Sequence, residues 1–174
     1  MADQLASLRN IPVFSRIRRN HGLEHATIHI LSQQFPDRRF IGRSNTQGFY
    51  IYGAVPAEEL ELVVGEALLR LRNGEHKLAI HANCGTNLVT SAILAGAASF
   101  FTLSGSAGDS WRRRLERLPI TIATILLALI VSQPLGLSVQ RHITTQGDPE
   151  LLEVISIHRV MASSNPLYFI QTTN

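Results

Sequence analysis

The sequence predicts an α+β fold: a small mixed sheet with a βαβ unit and a motif-bearing helix, attached to a two-helix transmembrane hairpin. Three observations predict it. A stretch at 20–34 carries apolar residues at helical spacing around a cluster of histidines. Short runs rich in β-branched and aromatic residues, bounded by turn residues, lie on both sides of an amphipathic helix. Two uncharged apolar runs then follow, each of roughly the 20 residues needed to cross a bilayer. The expected organisation is an N-terminal α/β part at 1–84, a transmembrane hairpin at 85–139 with helices at about 86–103 and 118–139, and C-terminal strands at 140–174 that complete the soluble domain.

The 174 residues carry 16 Lys+Arg against 13 Asp+Glu, a formal net charge of +3. All but one of the basic residues are arginine, and they cluster beside apolar segments. That points to lipid headgroups, and the absence of an aromatic-interleaved basic motif argues against nucleic acid as a partner. A single cysteine, Cys84, excludes an intrachain disulfide. Residues 1–19 hold no apolar core of seven or more residues, so no signal peptide is expected there. Residues 1–20, with Arg9, Arg16, Arg18 and Arg19, read either as a short membrane-surface helix or as an arm packed on the domain.

Asn20 is a candidate cap for a helix running to about Gln34, ended by Pro36 and Asp37. Arg39–Arg43 and Gly48–Val55 read as strands joined by a turn, with Tyr50 and Tyr52 packing in the sheet. Pro56 suits a first helical turn, and Leu60, Val63, Val64, Ala67, Leu68 and Leu71 mark one face of the helix that follows, stopped by Gly74. Lys77–His81 reads as a strand, which completes the βαβ unit and puts His81 at a strand's carboxyl end, where sites form. In the apolar runs Thr, Ser, Asn and Gly suit helix–helix contacts, and Pro134 and Gly136 are expected to kink or shorten the second helix. The alternative is a buried helical hairpin in a soluble protein. Trp111, Arg112, Arg113, Arg114 and Arg117 occupy the loop between the runs. A positive loop belongs on the cytoplasmic side, yet the N-terminal part has about ten Lys+Arg of its own. The balance favours both termini in the cytoplasm. Leu151–Val160 and Leu167–Thr172 read as strands joining the sheet, with His142 and His158 structural or at the surface.

The chemistry sits in two clusters: His21-Gly22-Leu23-Glu24-His25-Ala26-Thr27-Ile28-His29 and His81-Ala82-Asn83-Cys84-Gly85-Thr86. On a helix, successive residues turn by about 100°, so His21 and His25 share one face with Glu24 beside them. Two such imidazoles can hold a metal ion. His-x-x-Glu-His is also the order of the inverted zinc-protease motif. Cys84, just before an apolar helix, is placed for thiolate character. His21, His25, His81 and Cys84 together form a set suited to Zn2+, with iron or another metal as the alternative. Four protein ligands imply a closed structural site. If Cys84 or one histidine is not a ligand, Glu24 is the candidate general base for a bound water. Gly22, Thr27 and Gly85 read as geometric: close helix approach, a supporting hydroxyl and a sharp turn into the helix.

His-Gly-Leu-Glu-His-Ala-Thr-Ile at 21–28 and His-Ala-Asn-Cys-Gly-Thr at 81–86, before an apolar helix, resemble the YqhQ-like family of bacterial integral membrane proteins. Ala82 stands where that family usually has proline. The resemblance implies a bacterial inner-membrane protein with this His/Glu/Cys constellation and supplies no activity. The similarity to inverted-motif zinc proteases is confined to His21, Glu24 and His25, with no identifiable distal glutamate. Three functions follow: a membrane-anchored metal-dependent hydrolase, an assembly or accessory subunit with a structural zinc site (homo-oligomeric or bound to another membrane protein through the hairpin), and a thiol enzyme using Cys84 with His81 or His25.

Overall fold

A computed structural model describes residues 12–104 and 111–173. The chain divides into two compact units: Met1–His81 with Arg141–Asn174, and Ala82–Gln140.

The first unit is built on helix α1 (Pro12–Gln34). Leu23, Ala26, Ile30 and Leu31 repeat at helical spacing and are buried. This helix starts eight residues before the expected cap. Asn20 is an internal residue, fully buried, and its side chain does not cap. Its Nδ2 donates to the Asn45 carbonyl at 2.9 Å, and its Oδ1 accepts from the Thr172 hydroxyl at 2.7 Å. The helix-or-arm expectation for residues 1–20 lies partly outside the described residues; from Pro12 onward the segment is helical.

Strands β1 (Ile41–Ser44) and β2 (Gly48–Tyr52) form an antiparallel hairpin. Its turn closes when Asn45 N–H donates to Gly48 O and Gln47 N–H to Asn45 Oδ1. An asparagine side chain closing a turn in this way is an Asx turn. Helix α2 (Ala57–Arg72) follows, with Glu58 and Glu59 in its first turn and Arg70 and Arg72 in its last, both matching the helix dipole. Gly74, at φ +91°, ends it.

The expected strand at Lys77–His81 is a correction. His76–Ala79 winds as a 3-10 turn, held by Leu78 N–H to Glu75 O and Ile80 N–H to Lys77 O. Among the described residues no βαβ unit forms and the sheet is antiparallel, not mixed. The place beside β2 is taken by β4 (Leu167–Thr173), which pairs antiparallel with both β2 and β3 (Glu153–Met161). The order is β1-β2-β4-β3, antiparallel throughout. The C-terminal strands do join the N-terminal ones, as expected.

One sheet face is covered. Phe49 opposes Ile170 and Ile51 opposes Tyr168, and all four are buried in one core with α1 and α2 residues such as Leu23, Leu31, Leu60 and Val64. The Tyr168 hydroxyl reaches the Val55 carbonyl at 2.9 Å, which satisfies its buried polar end. Tyr50 lies on the other face, its ring 4.7 Å from that of Phe169.

The second unit holds α3 (Gly85–Leu103), the short α4 (Trp111–Glu116) and α5 (Leu118–Val139). α3 and α5 are long and apolar enough to cross a membrane. At about 1.5 Å per residue they span about 28 and 33 Å, close to the roughly 30 Å of a hydrocarbon core. They pack antiparallel, because Ser91 meets Ser132 (Oγ–Oγ 2.6 Å) and Asn87 meets Gln140. A Cβ on Gly136 would stand 2.5 Å from Asn87 Oδ1, so glycine there lets the helices close up. Only 11% and 17% of the two apolar stretches is buried. A buried hairpin of the soluble type would show the reverse. α5 continues through Pro134 without ending, then widens into a π-helical turn at Gln140–Thr144.

Candidate functional site

α1 carries the first cluster and three neighbouring segments fix its side chains. His21 and His25, one turn apart, have ring centroids 4.3 Å apart. His25 is 3% exposed. Its Nδ1 lies 2.8 Å from the Ala79 carbonyl at the end of the 3-10 turn. The Nδ1 of His21 lies 3.0 Å from the Thr144 carbonyl. A carbonyl only accepts, so each Nδ1 is the donor in its contact. That arrangement, one ring nitrogen held by a backbone carbonyl, is how metal-ligating histidines are usually oriented. His81 is half-buried, with its ring 5.9 Å from that of His25. The change from expected strand to 3-10 turn therefore has a purpose here: the turn ends with the Ala79 carbonyl against His25 and His81 following close behind.

Glu24 turns to a different neighbour. It is 4% exposed and accepts a hydrogen bond from the Ser44 hydroxyl on β1. A Cβ on Gly42 would fall 2.3 Å from its Oε1, so the carboxylate lies flat against the β1 backbone. Ser44 and Gly42 are site neighbours that sequence reasoning missed. A glycine inside a strand pattern was the available signal, since it marks close approach.

Residues 144–146 are the other omission. Arg18 Nη2 donates to the Thr145 carbonyl at 3.1 Å, Gln146 N–H donates to the Arg18 carbonyl at 3.0 Å, and Gly22 presents its bare Cα to Gln146 O, where a Cβ would stand at 2.0 Å. Gly22 thus allows a close approach, though to this segment and not to a helix. Arg19, nearly buried, pairs with Glu150 at 2.5 Å. The Thr27 hydroxyl donates to Leu23 O within α1 at 2.8 Å. His158, on β3, lies 2.8 Å from the Ser156 hydroxyl at an exposed position, and His142 is exposed, so both are surface residues as expected.

In the second unit, Cys84 is the N-cap of α3. Its sulfur accepts from Thr86 N–H at 3.4 Å, and the residue is 7% exposed. Gly85 has open space around its Cα and no positive φ, so it is an ordinary first helical residue and not a sharp turn. Along the chain Cys84 follows His81 by three residues. The two imidazoles on one face of α1 are nitrogen donors, and a cysteine sulfur is a soft donor, of the kinds that zinc, copper and iron accept.

A family model described as a domain of unknown function, DUF6391, matches residues 16–157. An uncharacterised protein of the cyanobacterium Picosynechococcus sp. (strain ATCC 27264 / PCC 7002 / PR-6) is 34% identical over 170 residues, covering 89% of this chain and 78% of that one. No solved structure matches. The matched span includes both clusters and both apolar helices.

Proposed function

We propose, from the premise that this chain belongs to the DUF6391 family, that it is a membrane-anchored metal-binding protein. The ion is held by His21, His25 and Cys84, with His81 available as a fourth ligand, and zinc is the metal that the donor chemistry suits best. The observation that carries this reading is the pair of Nδ1 contacts, to Ala79 O and Thr144 O, which fix two imidazoles 4.3 Å apart on one helix face in the orientation usual for metal-ligating histidines. The paired motif resembling the YqhQ-like family supports it, as does the apolar character of α3 and α5, which fits insertion in a membrane; the bacterial plasma membrane with the soluble part on the cytoplasmic side is the proposed placement, from the basic residues of the N-terminal part.

Within this reading the ion is structural, and the protein acts as an accessory or assembly component of a membrane complex. Glu24 favours that role over hydrolysis: its carboxylate accepts from Ser44 and packs on Gly42, a helix-to-strand clamp. The hydrolase, with Glu24 as general base, rests on the His-x-x-Glu-His spacing alone. The thiol enzyme needs an accessible sulfur, and Cys84 is buried.

Metal content of detergent-purified protein tests the proposal, with wild type beside His25→Ala and Cys84→Ala. About one equivalent of zinc in the wild type, lost in both variants, is the expected result. Zinc retained in Cys84→Ala would open a ligand position and return the hydrolase to first place. A metal-free wild type, purified without chelator, would sink the metal reading.

A further inference from the structure

We propose that the end of the hairpin at α4 is a binding site for anionic phospholipid headgroups. The inference rests on the membrane part of the reading above and adds a specific ligand to it. Between Ala82 and Gln140 every charged residue falls within 109–117: Asp109, Arg112, Arg113, Arg114, Glu116 and Arg117. The rest of that unit carries no charge at all, so its positive potential is confined to one end.

The side chains there sort by face. Trp111, Leu115 and Leu118 recur at i, i+4 and i+7 and are 68%, 48% and 40% exposed. That spacing makes one apolar stripe at the entrance to α5. Arg112 and Arg113 are exposed beside the stripe, and Arg117 is half-exposed. A single turn of helix with Trp and Leu on one side and arginines on the other is the pattern of a segment lying in a bilayer interface. Its ring sits at the level of the acyl boundary while the guanidinium groups reach phosphate oxygens, which arginine binds in a two-pronged fashion. The two apolar helices that end here, α3 and α5, deliver the segment to that depth. A protein or nucleic-acid partner would not explain why the exposed apolar stripe is continuous with helices long enough to span hydrocarbon.

Trp111 is the sole tryptophan of the chain, so its fluorescence reports this end alone. The full-length protein is reconstituted in bilayers of phosphatidylcholine with and without phosphatidylglycerol, and acrylamide quenching of Trp111 is compared. The expected result is quenching at least about twofold weaker with phosphatidylglycerol, reversed at about 1 M salt, where the Debye length falls to about 3 Å. The triple variant Arg112→Gln, Arg113→Gln, Arg117→Gln loses the difference while keeping the wild-type metal content. If that variant does not fold, Arg112→Gln alone and the salt titration of the wild type decide the matter. Equal quenching in the two bilayers, with the protein resistant to carbonate extraction, overturns the headgroup site and leaves the membrane reading standing. Protein stripped from the bilayer by carbonate overturns both.

Discussion

The two units of this chain place polar and apolar atoms in opposite ways. In the first, apolar side chains fill the interior: Phe49, Ile51, Leu23 and Ile170 are inaccessible. In the second, the interior seam is polar: Asn87 with Gln140, Ser91 with Ser132, and a buried Thr121, while Leu88, Ile93, Phe101 and Ile130 are 65–76% exposed. In water the driving force is removal of apolar surface. In hydrocarbon that force vanishes between helices, and close packing and interhelical hydrogen bonds take over. One polypeptide thus carries two opposite patterns, and the change from the first to the second falls within a few residues of Cys84.

The contrast is broken or sharpened most strongly by paired truncations. Phe49→Ala is expected to destabilise the sheet by about 3–5 kcal/mol, while Phe101→Ala, at an outward position, changes stability by under about 0.5 kcal/mol. Amide hydrogen exchange of β2 and β4, and thermal unfolding in detergent, measure the two. Comparable losses would mean that the outward face of the hairpin is packed, and the contrast would fail.

A middle-sized effect is expected at His25. Replacing it with alanine strips the Ala79 carbonyl of its partner, which costs about 1–3 kcal/mol before any metal is considered. The loss should exceed this figure when zinc is present and return to it in excess chelator. A loss independent of chelator would reduce the histidine pair to a packing device.

In the hairpin, Asn87→Ala removes the bonds to Gln140 and to the Ala82 carbonyl. Its expected cost is smaller, about 0.6–2 kcal/mol, as for other interhelical hydrogen bonds in lipid. Unfolding in micelles reads it directly. Glu24→Gln still accepts from Ser44, so metal content should be unchanged and the melting temperature only slightly lowered.

The smallest effect belongs to the exposed Arg70–Glu75 pair. The Arg70 guanidinium holds the Glu75 carboxyl below the ordinary carboxylate range through its hydrogen bonds. The contribution is therefore present above the ordinary carboxylate value and lost as pH falls through the lowered one. Glu75→Gln should flatten that part of the acid limb of an unfolding titration, with little change at neutral pH.

Much of this was legible in the residues. Periodicity located α1, α2 and the two apolar helices, because each buries or exposes a continuous stripe. The histidine pair was legible because four-residue spacing has one meaning on a helix. The 3-10 turn at His76–Ala79 was not, since Lys77–Ile80 is short and apolar enough to read as a strand, and only the arrival of β4 from the far end of the chain denies it a partner. Asn20 was misread for a related reason. A residue type that commonly caps helices lies inside one here, and its true partners, Asn45 and Thr172, are distant in sequence. The partner of Glu24 was hidden likewise, because a short serine on another element leaves no local trace.

The centre of the sheet joins β2 to β4, which is made later, with the whole hairpin synthesised between them. Register Phe49 to Ile170 closes a loop of more than a hundred residues, a contact of the slow, non-local kind. During translation, then, α1 and its histidines emerge long before the strand that completes their support. The two apolar helices are made while the sheet still has an open edge at β2. A chain halted before Leu167 would hold β2 paired to β1 alone, with its other edge unpaired.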